Sequence, residues 1–220
     1  MDVVASGASY GLQVMSWRDI PFRTIVRQQY DYSCGSAALA TLLRYHYGRP
    51  VTEAEVFKAM YAHGDQAKIQ KVGFSLLDMK HYLDEAGLKS DGYRLTLDQL
   101  VKADRPAIAV MRVGPYRHFV VIKGVREGKV LVGDPALGLK TYVLKDFAAQ
   151  WDGIVFAIDD EGKAKAAFNT PSEWRPWSTA PLGSALGDDS LGRLTWQTPP
   201  LYQLSLRLDT IATTPLPGGP

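Results

Sequence analysis

The sequence predicts an α+β protein in which helices precede an antiparallel sheet along the chain. Between residues 33 and 105 the composition favours helices, and serine and threonine residues stand where helices would begin. Between residues 107 and 158, short runs rich in β-branched residues are separated by tight turns. Strands joined by such short turns pair antiparallel. We therefore expect the helices to lie on one side of an antiparallel sheet.

Four helices are predicted in the first half of the chain. The first, in which Ser33–Ser36 leads into Ala37–Tyr45, is apolar nearly all round, which is typical of a buried helix. Thr52 and Glu55 have the spacing of a capping box and start a second helix that runs to about residue 62. Ser75 and Thr96 start a third and a shorter fourth helix. Glycine or proline residues end the first, third and fourth helices.

Five strands are predicted after the helices. They cover 107–113, 118–122, 130–132, 140–143 and 154–158. A weaker strand pattern runs from Tyr10 to Val14, where apolar and polar residues alternate.

Composition excludes several classes of protein. The 220 residues include 25 Lys and Arg against 23 Asp and Glu, a net charge of +2, so the basic face of a nucleic-acid binder is not expected. The single cysteine excludes an intramolecular disulfide and a multi-cysteine metal site. No apolar run approaches the roughly 18 residues of a membrane span. We predict no cofactor, no metal and no nucleic-acid partner.

We expect an N-terminal extension (1–27), a central domain (28–158) and a C-terminal extension (159–220), the last of which begins where the composition shifts, around residues 159–162. Eight of the 13 prolines and three of the five tryptophans lie from Pro171 onward. That is too apolar for a free linker and too rich in proline for regular structure. We expect this extension to wrap around and pack on the central domain.

Two segments of the C-terminal extension carry further expectations. Tyr202 to Leu208 alternates apolar and polar residues, so we expect a strand that joins a sheet edge or pairs with Tyr10–Val14. The pair Gly218–Gly219 lies in a stretch that we expect to be frayed. At the other end, Met1–Val4 lacks the basic and apolar regions of a signal peptide. A cytosolic protein, or one whose signal was removed before this numbering, is expected.

Cys34 is the candidate nucleophile. It follows a polar stretch and begins the first predicted helix, where the positive end of the helix dipole stabilises a thiolate. Gly35 would let backbone or substrate come close. Position alone leaves open a buried, inert cysteine.

His118 and Asp134 are candidate partners of Cys34. His118 opens an apolar strand and Asp134 ends the next one. Adjacent antiparallel strands joined by a tight turn bring these two ends together, which would let Asp134 orient His118 and His118 pair with the thiol. Taken alone, Asp134 is also typical of an aspartate that begins a turn before a proline.

These residues lie in segments that resemble a known family. Gln28–Ala40, His118–Val121 and Val132–Pro135 resemble the active-site segments of the bacteriocin-processing, double-glycine cysteine peptidases. Gly73–Lys80 is similar to that family's middle helix. The resemblance covers about Gln28 to Ile158, and the order and spacing of its parts agree throughout.

The resemblance implies a papain-like fold and a Cys-His-Asp triad. It assigns Cys34 as nucleophile, His118 as general base and acid, and Asp134 as the residue that orients His118. Gln28, six positions before the cysteine, takes the place of the family's oxyanion-stabilising glutamine, with Gln29 as a second candidate. The family's narrow cleft implies a preference for two glycines before the cut.

The sequence departs from the transporter-borne members in two ways. Ser33 stands where they usually have an acidic residue. No transmembrane segment or nucleotide site follows the domain, as in stand-alone members that resemble the peptidases of functional-amyloid secretion in Gram-negative bacteria. This implies a polypeptide substrate, such as an amyloid or secretion-system component, and a periplasmic enzyme whose signal peptide is absent from this numbering.

The sequence leaves two alternative functions open. A non-catalytic docking module could hold unfolded secretion substrates, although the presence of Cys34, His118 and Asp134 argues against a lost active site. A papain-like acyltransferase or amidase would use the same three residues on a different substrate.

Overall fold

A computed structural model describes residues 2–5, 8–11, 16, 18–113, 116–159, 168–175 and 178. All of them belong to the first of two compact units, Met1–Ala180 and Pro181–Pro220. Six helices are described, α1 to α6 in chain order: Cys34–Tyr45, Glu53–His63, Gln66–Val72, Leu76–Glu85, Leu97–Ala103 and Leu144–Gln150. A short 3-10 turn, Ile20–Phe22, precedes them. None of the helices in these ranges is long and apolar enough to cross a membrane.

The described strands, β1 to β8, form two sheets. They are Asp2–Ala5, Ala8–Gly11, Ser90–Arg94, Ala107–Val113, Tyr116–Arg126, Lys129–Asp134, Gly138–Val143 and Trp151–Ile158. β1 and β2 form a separate hairpin. The other six form one antiparallel sheet in the order β3-β8-β4-β5-β6-β7. The chain therefore builds a meander from β4 to β7 and then returns with β8 between β3 and β4.

The large sheet is covered on both faces. Helix α1 packs on β5 and β4, and α2 and α4 pack on α1. On the opposite face, Leu100 of α5 and Phe147 of α6 enter a second buried cluster with alternate residues of the same strands. The predicted α+β class and the helices packed on an antiparallel sheet are confirmed. The expectation that one face alone would carry helices is corrected, because α5 and α6 cover the other.

Local capping chemistry explains where several helices begin. The hydroxyl of Thr52 accepts from the N–H of Glu55, and the Glu55 carboxylate accepts from the N–H of Thr52. Ser75 with Asp78, and Thr96 with Gln99, repeat this arrangement at the starts of α4 and α5. Such reciprocal bonds satisfy helix N–H groups that have no partner within the helix. The three starts predicted from these residues are confirmed.

The prediction missed α3, α6, β1 and β3, and some predicted strands are shorter than the observed ones. β3 is exposed at four of its five positions, so it lacks the apolar alternation by which strands are recognised. β5 is longer than predicted at both ends. The predicted strand Tyr10–Val14 overlaps β2, in which Tyr10 pairs with Val3. Residues 12–15 and Tyr202–Leu208 lie outside the described part of the chain.

The segment 168–178, of which 168–175 and 178 are described, packs on the sheet and is called the C-terminal clip here. Phe168 and Glu173 are buried. At Gly124 a Cβ atom would lie 2.4 Å from Cγ of Asn169, so the clip sits against the backbone of β5 where only glycine fits. Trp174 donates from Nε1 to Oδ1 of Asn169 at 2.7 Å. The clip thereby holds its own turn together while it contacts β5.

Candidate active site

Cys34 is the first residue of α1, a helix whose first ten residues are all buried. Its own exposure is 7%. The thiol thus lies at the positive end of the helix dipole, where a negative charge is stabilised. Packing leaves little room for a side chain at Gly35, because a Cβ atom there would lie 2.9 Å from Cε of Met79 and 3.1 Å from Cβ of Phe74.

His118 and Asp134 meet as neighbours across two strands. β5 and β6 pair antiparallel, and Arg126 pairs with Lys129 at their connecting turn. His118 lies near the far end of β5 and Asp134 ends β6. His118 Nε2 is 2.8 Å from Asp134 Oδ1, and the side chains are 15% and 6% exposed. The hairpin therefore brings together two residues sixteen positions apart.

Asp134 is held in place by the turn that follows it. Its Oδ1 accepts from the backbone N–H groups of Ala136 at 2.8 Å and Leu137 at 3.2 Å, in addition to the His118 contact. Burial acts to raise the pKa of Asp134, but the charge of His118 and these hydrogen bonds outweigh it and lower the pKa. The carboxylate is therefore charged at neutral pH and fixed in direction.

The environment of His118 favours its protonated form. Burial of the ring acts to lower its pKa, but the charge and hydrogen bond of Asp134 raise it, and a side-chain hydrogen bond and charge from Cys34 add to this, giving a pKa of about 10. Because Asp134 engages Nε2, the other ring nitrogen, Nδ1, is available to the Cys34 thiol. An imidazolium next to a thiolate is the resting state from which a cysteine nucleophile reacts.

Gln28 is joined to the same loop through its backbone. Its N–H donates to the carbonyl of Pro135, the residue after Asp134, at 3.0 Å. Its side-chain Nε2 donates one N–H to the carbonyl of Tyr30 at 3.1 Å. The second N–H of the amide is not used in this bond. Its Oε1 is buried and has no hydrogen-bond partner among the described residues. Gln29, the neighbouring candidate, is exposed.

Two features near Cys34 were not identified from the sequence. One is the hydroxyl of Ser33, which bonds to Tyr30. The other is a run of aromatic rings in which Tyr30 stacks on Tyr32 at 5.7 Å and contacts Phe57 at 5.4 Å. Tyr30 is 50% exposed. The sequence shows aromatic residues spaced along a polar stretch, and these could have suggested such a cluster. That the rings meet depends on how α2 packs, which the sequence does not show.

The other three histidines lie elsewhere. His46 follows α1 and stacks on Phe168 of the C-terminal clip. His63 is the last residue of α2 and forms an exposed ion pair with Glu85 at 3.3 Å. His81 is an exposed residue of α4. Within the part of the chain that the structure describes, no three His, Cys, Asp or Glu side chains converge in a metal-binding arrangement.

Comparison with solved structures supports the papain-like fold. The peptidase domain of Streptococcus ComA, a bifunctional ABC transporter involved in quorum sensing, matches with a TM-score of 0.54 at 19% identity over 61% of this chain and 96% of that one. A double-glycine motif protease from an AMS/PCAT transporter, solved with its leader peptide, matches with a TM-score of 0.52 at 26% identity over 61% of this chain and 89% of that one.

Sequence relatives and a family model cover the same region. A protein of Pseudomonas aeruginosa named "Probable functional amyloid protease FapD" is 46% identical over 150 residues, which are 68% of this chain and 66% of that protein. A protein of the same name from Pseudomonas fluorescens is 38% identical over 193 residues, 83% of this chain and 85% of that one. The model of the Peptidase C39 family matches residues 23–163. This chain therefore belongs to the Peptidase C39 family of cysteine peptidases.

Proposed function

We propose that this chain is a cysteine endopeptidase in which Cys34 is the nucleophile, His118 the general acid and base, and Asp134 the residue that orients His118. The observation that carries the proposal is the 2.8 Å contact between His118 Nε2 and Asp134 Oδ1, in a histidine whose pKa the Cys34 side chain also raises. Each of the three comes from a different element, and all three are mostly buried.

The chemistry follows from this arrangement. The Cys34 thiolate attacks the carbonyl carbon of the scissile peptide bond, and His118 gives its proton to the nitrogen of the leaving amine. An acyl-enzyme remains, with a thioester at Cys34 and a neutral His118. His118 then takes a proton from water, the resulting hydroxide attacks the thioester, and Cys34 leaves as a thiolate beside the reprotonated His118.

The negative oxygen formed in both attacks requires hydrogen-bond donors. The backbone N–H of Cys34 at the start of α1 and the side-chain amide of Gln28 are the donors that we assign to it. The bond from the Gln28 N–H to Pro135 supports this assignment, because it ties Gln28 to the loop that carries Asp134.

The comparisons support a polypeptide substrate. Relatives carry the name of a functional amyloid protease, and a double-glycine protease has been solved with a leader peptide. We infer that this chain cleaves a secreted polypeptide, such as a component of functional-amyloid export, after a Gly-Gly-type site. The half-exposed ring of Tyr30, stacked on Tyr32, offers an apolar contact for that substrate. An export role places the enzyme in the periplasm, with the cytoplasm as the alternative.

The domain division is part of the same proposal. Residues 28–158 form the peptidase domain, 1–27 an N-terminal extension and 159–220 a C-terminal extension, of which the C-terminal clip packs on the domain. The buried Phe168 and Glu173 of the C-terminal clip support this packing. The rest of the extension, including Trp177, Trp196 and Gly218–Gly219, lies outside the described residues.

Cleavage of quenched peptides tests the proposal. The peptides carry Gly-Gly, Gly-Ala, Ala-Gly or Ala-Ala at two central positions, and mass spectrometry locates the cut. We expect cleavage after Gly-Gly only, with turnover abolished in Cys34→Ala and in His118→Ala. The matched control, His63→Ala, removes a histidine whose ion pair is exposed and should cleave normally. Activity that survives in a folded Cys34→Ala protein contradicts the proposal.

The same assay separates hydrolysis from acyl transfer. In water enriched in ¹⁸O, a peptidase places one labelled oxygen in each new C-terminal carboxylate. An acyltransferase instead gives a product joined to an added amine, without the label. A wild-type protein that binds the Gly-Gly peptide and neither cleaves nor transfers it would be a docking module.

A further inference from the structure

Ser33 stands directly before α1, where a serine side chain usually caps the helix by accepting from one of its first N–H groups. The structure gives it no such bond. Its hydroxyl instead accepts from the N–H of Tyr30 at 3.1 Å and donates to the carbonyl of Tyr30 at 3.0 Å. Ser33 is completely buried. The side chain thus holds the ends of the loop 30–33 together and does not cap the helix.

The carbonyl of Tyr30 is where this loop meets Gln28. It accepts from the N–H and the hydroxyl of Ser33 and from Nε2 of Gln28, at 3.1, 3.0 and 3.1 Å. Gln28 is held at its backbone by Pro135, so the direction of its side-chain amide depends on where the Tyr30 carbonyl lies. Ser33 holds that carbonyl with both its hydroxyl and its N–H, and both bonds of the hydroxyl go to Tyr30.

We infer that Ser33 is a positioning residue for Gln28, acting through the Tyr30 carbonyl to aim the side-chain amide at the oxyanion. The inference rests on the oxyanion role proposed above for Gln28. Because the Ser33 hydroxyl bonds to Tyr30, the first turn of α1 has no side-chain cap. The positive end of the helix dipole therefore stays available to the Cys34 thiolate.

Ser33→Ala tests the inference when kcat and KM are measured separately on the Gly-Gly peptide. The oxyanion forms only after the thiolate has attacked and is absent from the bound substrate, so a misaligned donor lowers kcat and leaves KM unchanged. Loss of a whole oxyanion donor costs about 100-fold or more, and misalignment of one should cost about tenfold. In a Gln28→Ala background, Ser33→Ala should cause no further loss of kcat, because the group that it positions is gone.

Ser36→Ala is the matched control. Ser36, in the first turn of α1, is fully buried like Ser33, but its hydroxyl bonds to the Ser33 carbonyl and to Glu53. We expect the melting temperature of the Ser36→Ala protein to fall while its kcat stays within about twofold of the wild type. The reason is that the bonds of Ser36 do not reach Tyr30 or Gln28. Ser33→Thr keeps the hydroxyl and should keep most of kcat.

Several results would overturn the inference. They are an unchanged kcat in Ser33→Ala, losses that multiply in the Gln28→Ala background, or a Ser33→Thr protein as slow as Ser33→Ala. A Ser33→Ala protein that does not fold would also overturn it, because the hydroxyl would then support the whole fold. The proposed function fails separately, if the wild type does not cleave or if Cys34→Ala does.

Discussion

The ammonium group of Lys123 and the carboxylate of Glu173 form an ion pair inside the protein, where their side chains are 0% and 5% exposed. Thr24 completes the arrangement, since its hydroxyl lies 2.6 Å from Lys123 Nζ and 2.7 Å from Glu173 Oε1. The ring of Phe168 lies 4.0 Å from the same ammonium group. One buried cation thus joins three parts of the chain. They are β5, the segment before Gln28, and the C-terminal clip.

Removal of one member of this pair should destabilise the protein strongly. Lys123→Met leaves the Glu173 carboxylate buried without its cation, and such a loss costs about 3–5 kcal/mol of the free energy of unfolding. Urea titration measures it. In the double variant Lys123→Met, Glu173→Leu we expect much of the loss to be recovered, because no unpaired charge remains.

Lys80→Met is the control for that experiment. It removes an ion pair with Asp91 whose side chains are 36% and 59% exposed, and water screens such a pair. The unfolding midpoint in urea should therefore stay close to that of the wild type. Equal losses in Lys80→Met and Lys123→Met would contradict the structural role of the buried pair.

Truncation tests the role of the C-terminal clip. A chain that ends at Ala167 loses Phe168 and Glu173, both buried, and its melting temperature should fall by at least about 10 °C. A chain that ends at Ala180 keeps the clip and provides the comparison. We expect the purified shorter chain still to cleave peptide at low temperature. An unchanged melting temperature would show that the clip is a loose tail.

Alkylation should modify Cys34 at a rate above that of a free thiol. Cys34 is the one cysteine of the chain, so mass spectrometry with iodoacetamide at pH 7 reads this residue alone. A helix N-terminus and a neighbouring histidine are the surroundings in which cysteines are generally reactive. His118→Ala should slow the labelling, whereas His81→Ala should not. A wild-type rate equal to that of glutathione would remove the argument for an activated nucleophile.

Asp134→Asn should move the alkaline limit of activity to lower pH. His118 must carry a proton to release the leaving amine, and its pKa of about 10 keeps it protonated well above neutral pH. The charge of Asp134 is the main influence that raises this pKa, while burial opposes it. Without that charge the high-pH limb of kcat/KM should shift down by about one unit or more. An identical limb in both proteins would contradict this electrostatic role.

Gly35→Ala should reduce both stability and activity. The added Cβ would lie 2.9 Å from Cε of Met79 and 3.1 Å from Cβ of Phe74, and overpacking of this kind costs about 1–3 kcal/mol. Turnover should fall as well, because Gly35 follows the nucleophile directly. In Gly92→Ala the new Cβ would meet only Val155 O, at 4.0 Å, so calorimetry should find its melting temperature unchanged.

Local patterns predicted much of the fold. The capping boxes at Thr52, Ser75 and Thr96 involve residues three positions apart, so the start of each helix can be found within a few residues of sequence. β3 could not be found in this way. Four of its five residues are exposed, and it becomes a strand because its backbone pairs with β8, more than fifty residues later.

Part of the candidate site was also accessible from the sequence. The tight turn after Arg126 makes β5 and β6 neighbours, and that pairing brings His118 to Asp134. Their proximity is thus a consequence of one local hairpin. Their catalytic roles, and those of Cys34 and Gln28, stay predictions that follow from the family resemblance and await the experiments above.

By itself, the sequence determined the α+β class, most of the helix starts, the hairpin that carries His118 and Asp134, and membership of the peptidase family. The tertiary structure alone decided that the Ser33 hydroxyl turns to Tyr30 instead of capping α1, and that Lys123 meets Glu173 fifty residues away. The physical reason is that periodicity, capping and tight turns act over a few residues. The partner of a buried polar group is instead chosen by whichever distant group the packed core brings within hydrogen-bond distance.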